Sequence, residues 1–120
     1  MTSTIKRIDT KETYSEIVVH NNTAYISGQV PWRYENLDFI TQTQEVFNLI
    51  DLQLAKVNSD KTKILSLRIY MKNPENYDAM NSIFKNWIPV GFAPSRATIC
   101  NVIFPNPKWQ IEVVVIAATD

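Results

Sequence analysis

Two charged residues sit in stretches that otherwise read as apolar strands. In APSRATIC (residues 93–100) Arg96 opens one run, and in IEVVVIAA (111–118) Glu112 lies inside another. Charged side chains are rarely buried unless they are paired or put to use. A planar guanidinium forms two parallel hydrogen bonds to a carboxylate and so fixes orientation as well as charge. A carboxylate can take a proton from a bound water. These residue types allow such chemistry without assigning it. The plainer alternatives are a strand-edge arginine in a surface salt bridge and a solvated strand glutamate. The second is weakened by Val113, Val114 and Val115, which follow at once.

Other chemistries find little support. The chain has one cysteine, Cys100, and one histidine, His20. No internal disulfide can form, and a Cys/His zinc site cannot be built within one chain. The only glycines are Gly28 and Gly91, and no glycine-rich phosphate loop is present. Lys and Arg number 12 against 12 Asp and Glu, a formal net charge of +0. That balance speaks against a nucleic-acid protein, which usually carries a basic patch. Near-zero charge also favours self-association. The first residues, MTSTIKRIDT, lack the apolar run of a signal peptide. No stretch approaches the roughly eighteen apolar residues of a membrane span. The expected address is the cytoplasm.

The elements that must position Arg96 and Glu112 can be read from pattern. At 120 residues and 45% hydrophobic content, the chain is expected to be a single α/β domain over 1–120 with a real core. Residues 15–19 and 23–27 form a hairpin across His20-Asn21-Asn22, since asparagine tolerates the positive φ of tight turns. Asp38 is a candidate N-cap for a helix reaching about Val57, with Phe39, Val46, Phe47, Ile50, Leu54 and Val57 as its inner stripe. Leu65, Leu67, Ile69 and Met71 alternate with polar residues as a strand. Asn73-Pro74 then starts a second helix, running to about Trp87 with Tyr77, Met80, Phe84 and Trp87 or Ile88 inward. Two strands close the chain around Pro105-Asn106-Pro107. The expected architecture is a mixed β-sheet with two helices packed on one face. Both faces of the closing strands are apolar, so the uncovered one needs a partner, most simply another subunit.

Four segments, AYISGQVP, YDAMNSIFKNW, APSRA and IEVVVIA, taken in this order, resemble the RidA (YjgF) family over nearly the whole chain. The resemblance implies a chorismate-mutase-like fold, a homotrimer with clefts between subunits, and no cofactor. It implies hydrolysis of reactive enamines and imines such as 2-aminoacrylate to 2-keto acids and ammonia. On this likeness Arg96 binds the substrate carboxylate and Glu112 activates water. Tyr14, Ser27, Gly28, Asn81 and Thr98 fall on further substrate-binding positions. Each has a structural alternative: Tyr14 as a half-buried tyrosine, Ser27-Gly28 as a strand-ending turn, Asn81 as a backbone-bonded amide. Thr98 stands where the best-known members carry cysteine, while Cys100 and His20 read as a packing residue and a turn residue. The loop PWRYENL and the stretch IPVGFAP depart from the family, so Trp32, Arg33 and Tyr34 can reshape the cleft entrance. Two other readings remain: a ligand-binding or regulatory trimer without turnover, and the ribonuclease or translation inhibitor for which some relatives are named.

A hairpin of the last two strands would set Arg96 against the region of Ala117 and Glu112 against that of Asn101. The two would lie about five residues, roughly 16 Å, apart. That is too far to hold one small acid, so the two residues are expected to converge across a subunit boundary.

Overall fold

The computed structural model of the chain describes residues 4–120. Six strands and two helices follow in the order β1 (Lys6–Thr10), β2 (Ser15–His20), β3 (Thr23–Gln29), α1 (Phe39–Lys56), β4 (Ile64–Met71), α2 (Tyr77–Trp87), β5 (Ser95–Ile99) and β6 (Ile111–Ala118). The strands form one mixed sheet of order β1-β2-β3-β6-β4-β5. All pairs are antiparallel except β4 with β5. Parallel neighbours need a crossover, and α2 supplies it between β4 and β5.

Most elements form where their local chemistry directs. Asn21 and Asn22 take φ of 52° and 57° in the β2–β3 turn. The Asp38 carboxylate accepts the Thr41 backbone N–H at 2.9 Å and caps α1. Asn73 accepts from the Glu75 N–H at 2.9 Å, but what it starts is a single 3₁₀ turn, Pro74–Asn76, ahead of α2. The whole inner stripe of α1 is buried, with Met80 and Phe84 of α2. The helices meet through Phe47 and Trp87, whose rings stack at 4.7 Å between centroids.

Two expectations are corrected. Strand β1 was not foreseen, because Lys6, Arg7 and Asp9 leave only Ile8 partly buried. It is an edge strand, and edges tolerate charge that discourages further pairing. The larger correction concerns the last two strands, which do not form a hairpin. β6 inserts between β3 and β4, while β5 lies at the far edge beside β4. An apolar run such as IEVVVIAA suits a strand with neighbours on both sides, and the short β5 suits an edge.

The sheet has a covered and an uncovered face. Leu67, Ile69, Ile111, Val113, Val115 and Ala117 are wholly buried, so side chains in phase with them lie under the helices. In the opposite phase are Val18, Tyr25, Tyr70, Val114 and Ile116, none of them buried. Tyr25 is 48% exposed on this face, which also carries Ser66, Arg68 and Glu112 among its apolar side chains. No helix among the described residues is long and apolar enough to cross a membrane.

Candidate functional site

Glu112 pairs with Tyr70 of β4, so its side chain is on the uncovered face. Its position depends on an irregularity in the neighbouring strand. On β3, Ile26 pairs with Val115 but Gln29 with Val113. Three steps on one strand match two on the other, which is a β-bulge at Ser27-Gly28. The Glu112 side chain lies against the bulged glycine. A Cβ at Gly28 would stand 2.0 Å from Glu112 Oε2 and 2.8 Å from its carboxyl carbon. Any larger residue there would have to push the Glu112 carboxylate out of this place. The Ser27-Gly28 pair is thus more than a strand-ending turn: it makes room for a carboxylate.

The carboxylate of Glu112 has no hydrogen-bond or ion-pair partner among the described residues. Burial pushes its pKa above the ordinary carboxylate value, because the charged form loses hydration. It lines an open cleft of about 840 Å³ with Tyr14, Glu16, Ser27, Gly28 and Trp32. The floor is held by polar side chains. Ser27 Oγ donates to the Ser15 carbonyl at 2.6 Å, and Gln29 Nε2 donates to the Ser27 carbonyl at 2.8 Å. Gln53 of α1 donates to Glu16 at 2.7 Å. Tyr14 stands 51% exposed at the rim.

Arg96 occupies a different place. It pairs with Leu67, whose side chain is under the helices, so Arg96 points to the covered face at the sheet edge. There α2 receives it. Arg96 Nη1 donates to Asn81 Oδ1 at 2.7 Å and Nη2 to the Tyr77 hydroxyl at 3.0 Å, while the guanidinium carbon lies 4.9 Å from the centre of the Phe84 ring. The surface salt-bridge alternative is removed: Arg96 makes no ion pair among the described residues. Asn81 bonds this guanidinium rather than backbone. Thr98 follows on the same face, and its buried Oγ1 has no hydrogen-bond partner among the described residues. Cys100 is half-buried against the core, as a packing residue.

The register expectation is corrected with the topology. Through Leu67, Arg96 is level with Val115, three rows from Glu112 and two strands away. That is about 14 Å between backbones at ordinary sheet spacings. The two side chains also leave opposite faces. One chain cannot bring them onto one small molecule.

The candidate residues thus fall into two groups: Tyr14, Ser27, Gly28 and Glu112 in the cleft, and Asn81, Arg96 and Thr98 at the other edge. Sequence reasoning took Tyr77 only as a core residue. Its spacing of four from Asn81 on α2 places both over the same strand, and that periodicity was the available signal. Among the described residues no cluster of His, Cys, Asp and Glu is arranged to hold a metal ion.

A family model described as endoribonuclease L-PSP matches residues 4–119. The chain is 41% identical to a RutC family protein of Haemophilus ducreyi over 114 residues, covering 95% of this chain and 96% of that one. Its structure is similar to that of NMB1025, a member of the YjgF protein family from Neisseria meningitidis. The TM-score is 0.90 at 32% identity, covering 98% of this chain and 96% of that one. At 24% identity over 109 residues, 86% of this chain and 84% of the other, it is also similar to a 2-iminobutanoate/2-iminopropanoate deaminase of Dermatophagoides farinae.

Proposed function

The chain belongs to the endoribonuclease L-PSP family, which takes in the RutC and YjgF proteins, and on that premise we propose that it hydrolyses 2-imino acids to 2-keto acids and ammonia. The observation that carries this reading is Glu112. A carboxylate without a partner, partly desolvated and lodged on a glycine in an open cleft, is an unusual expense for a stable fold and a suitable base for water. The deaminase named among the relatives supports the substrate class.

An enamine such as 2-aminoacrylate first tautomerises to the imine. Arg96 takes the carboxylate, and the imine carbon faces a water held by Glu112. The imine reacts as its protonated iminium. The water oxygen bonds to that carbon while Glu112 accepts one water proton, giving a neutral carbinolamine. Glu112 returns that proton to nitrogen. As the C–N bond breaks and the carbonyl forms, the remaining hydroxyl proton passes by way of Glu112 to the departing ammonia, which leaves as ammonium. No cofactor enters this proposal. Because Arg96 and Glu112 lie on opposite faces, the reading includes a second subunit. Clefts form between copies, most simply in a homotrimer whose contacts cover the apolar face bearing Tyr25, Val114 and Ile116.

RNA cleavage, which the family's description names, is not the reading we favour. The chain has no net charge, and RNA binding leans on basic surface. The cleft carries Asp9, Glu16 and Glu112 against Lys11 and Lys56, so it offers no basic surface. The test is release of ammonia and keto acid from freshly generated 2-iminopropanoate and 2-iminobutanoate. Accelerated release by the wild-type protein is expected. Release no faster than the uncatalysed reaction, with keto acid still bound, would leave a binding protein instead.

A further inference from the structure

The reaction reading leaves one wall of the cleft without a task. Beside Glu112 and Gly28, the cleft is lined by Val30, Trp32, Pro105 and Trp109. These come from two loops distant in sequence, 30–38 and 100–110, and one buried side chain fastens the loops together. Gln42, with 0% exposure, donates from Nε2 to the carbonyls of Glu35, Leu37 and Lys108 at 3.1, 3.2 and 3.0 Å. Its Oε1 accepts the Gln110 backbone N–H at 2.9 Å. Asn106 adds a bond to Glu35 at 2.7 Å. The two loops therefore form one preset wall.

Trp32 is held in that wall yet left open. Buried Glu45 pairs with Arg33 at 3.1 Å, and the Arg33 guanidinium lies 5.3 Å from the Trp32 ring centre. Even so, Trp32 is 59% exposed. A large aromatic ring, ordered by a salt bridge and still facing a cleft, is placed for a ligand. The cleft volume of about 840 Å³ falls in the range of about 300–1,000 Å³ that suits drug-sized ligands.

We propose that the Trp32–Trp109 wall is a side-chain subsite that selects 2-imino acids with a planar apolar or aromatic side chain over those of two to four carbons. This rests on the proposed hydrolysis and names the part of the substrate that the reacting groups do not touch. The occupant is a small molecule rather than a protein segment, because the wall is continuous with the unpartnered Glu112 carboxylate. The substrate's reacting end sits at Glu112 and its side chain lies along Trp32. Contact with an aromatic ring adds to specificity through remote binding energy.

The experiment compares wild type, Trp32→Ala and Trp32→Phe. Turnover is measured on the imines of phenylpyruvate and pyruvate, and binding of the two keto acids by calorimetry. Wild type is expected to prefer the phenyl compounds in both kcat/KM and affinity. Trp32→Ala should lower that preference about tenfold, and Trp32→Phe should keep most of it. Equal or better use of the pyruvate imine by wild type overturns the subsite and leaves hydrolysis standing. No turnover, with phenylpyruvate still preferred and the preference lost in Trp32→Ala, removes hydrolysis and keeps the subsite. No binding of either keto acid removes both. If Trp32→Ala changes the sedimentation mass, the wall is a contact between copies and the inference is wrong.

Discussion

The Glu112 region and the Arg96 region spend structure in opposite ways. Around Arg96 the fold supplies side chains: a tyrosine hydroxyl, an amide oxygen and an aromatic face fix the guanidinium. All three partners are neutral, so orientation is set while the charge remains uncompensated. Around Glu112 the fold supplies backbone: a bulge and a glycine make space, and among the described residues no donor bonds the carboxylate. One charge is held by partners, the other is only housed. An anion clamp must keep its geometry and still attract. A base must keep its affinity for a proton, which any donor would lower. The two regions match those two needs.

The largest effects should come from the housed charge. Glu112→Gln keeps shape and most hydrogen-bonding capacity but cannot accept a proton. Imine hydrolysis is expected to fall by about 10² to 10⁴, with keto-acid affinity largely kept. Gly28→Ala should approach the same loss by a different route, since its Cβ would occupy the carboxylate's place. Full activity in Glu112→Gln would end the water-activating role and move the reading to a binding protein.

The held charge should cost less in any one assay. Arg96→Ala should weaken keto-acid binding by roughly tenfold to a hundredfold, the worth of a charge-assisted bond at about 1.5–3 kcal/mol. Arg96→Lys should rescue little, because the fork is lost. Mixing the two regions sharpens the comparison further. Arg96→Ala chains co-assembled with Glu112→Gln chains should regain part of the activity if each cleft draws one residue from each copy. No regain, with assembly confirmed, would place both residues of a cleft on one chain and contradict the opposite-face geometry.

The supports of Arg96 should matter less than Arg96 itself. Tyr77→Phe and Asn81→Ala each remove one bond, worth about 0.5–1.5 kcal/mol, so keto-acid affinity should drop about twofold to twelvefold. Unaltered affinity in both would mean that the Phe84 ring and the strand alone position the guanidinium.

Much of this was legible before the fold was known, and the failures share a cause. The helices were readable because caps and stripes are local: Asp38 and the Phe39–Val57 stripe act within one or two turns. Arg96 and Glu112 stood out because charge in an apolar run is a local anomaly. Strand pairing is not local. Nothing within residues 95–118 says that β6 leaves its sequence neighbour to lie between β3 and β4, so the hairpin expectation failed and the register failed with it. Strand β1 was hidden because an edge needs little apolar character. The link of Gly28 to Glu112 spans most of the chain and becomes visible only once β3 and β6 are side by side. Tyr77 was misread because a tyrosine on an apolar stripe looks like core until its hydroxyl is seen on a guanidinium.

The smallest expected effect tests the environment of Glu112 rather than its chemistry. Burial raises its pKa in the folded chain, so between the unfolded and folded pKa values the native state holds a proton that the unfolded state has lost. Stability then falls as pH rises through that interval and stays lower above it. Glu112→Gln removes this penalty. Relative to wild type, the variant should gain thermal stability on going from about pH 3.5 to about pH 7.5. Asp9, Lys11, Glu16 and Lys56, which share the cleft, are the same in both proteins, so the difference isolates Glu112. The same interval should appear in the wild-type rate, which needs the deprotonated base and should rise with pH through it. A stability difference that is flat across the range, or that favours wild type as pH rises, would mean that a donor in the assembled protein satisfies Glu112. The contrast between the held and the housed charge would then be a property of the isolated chain alone.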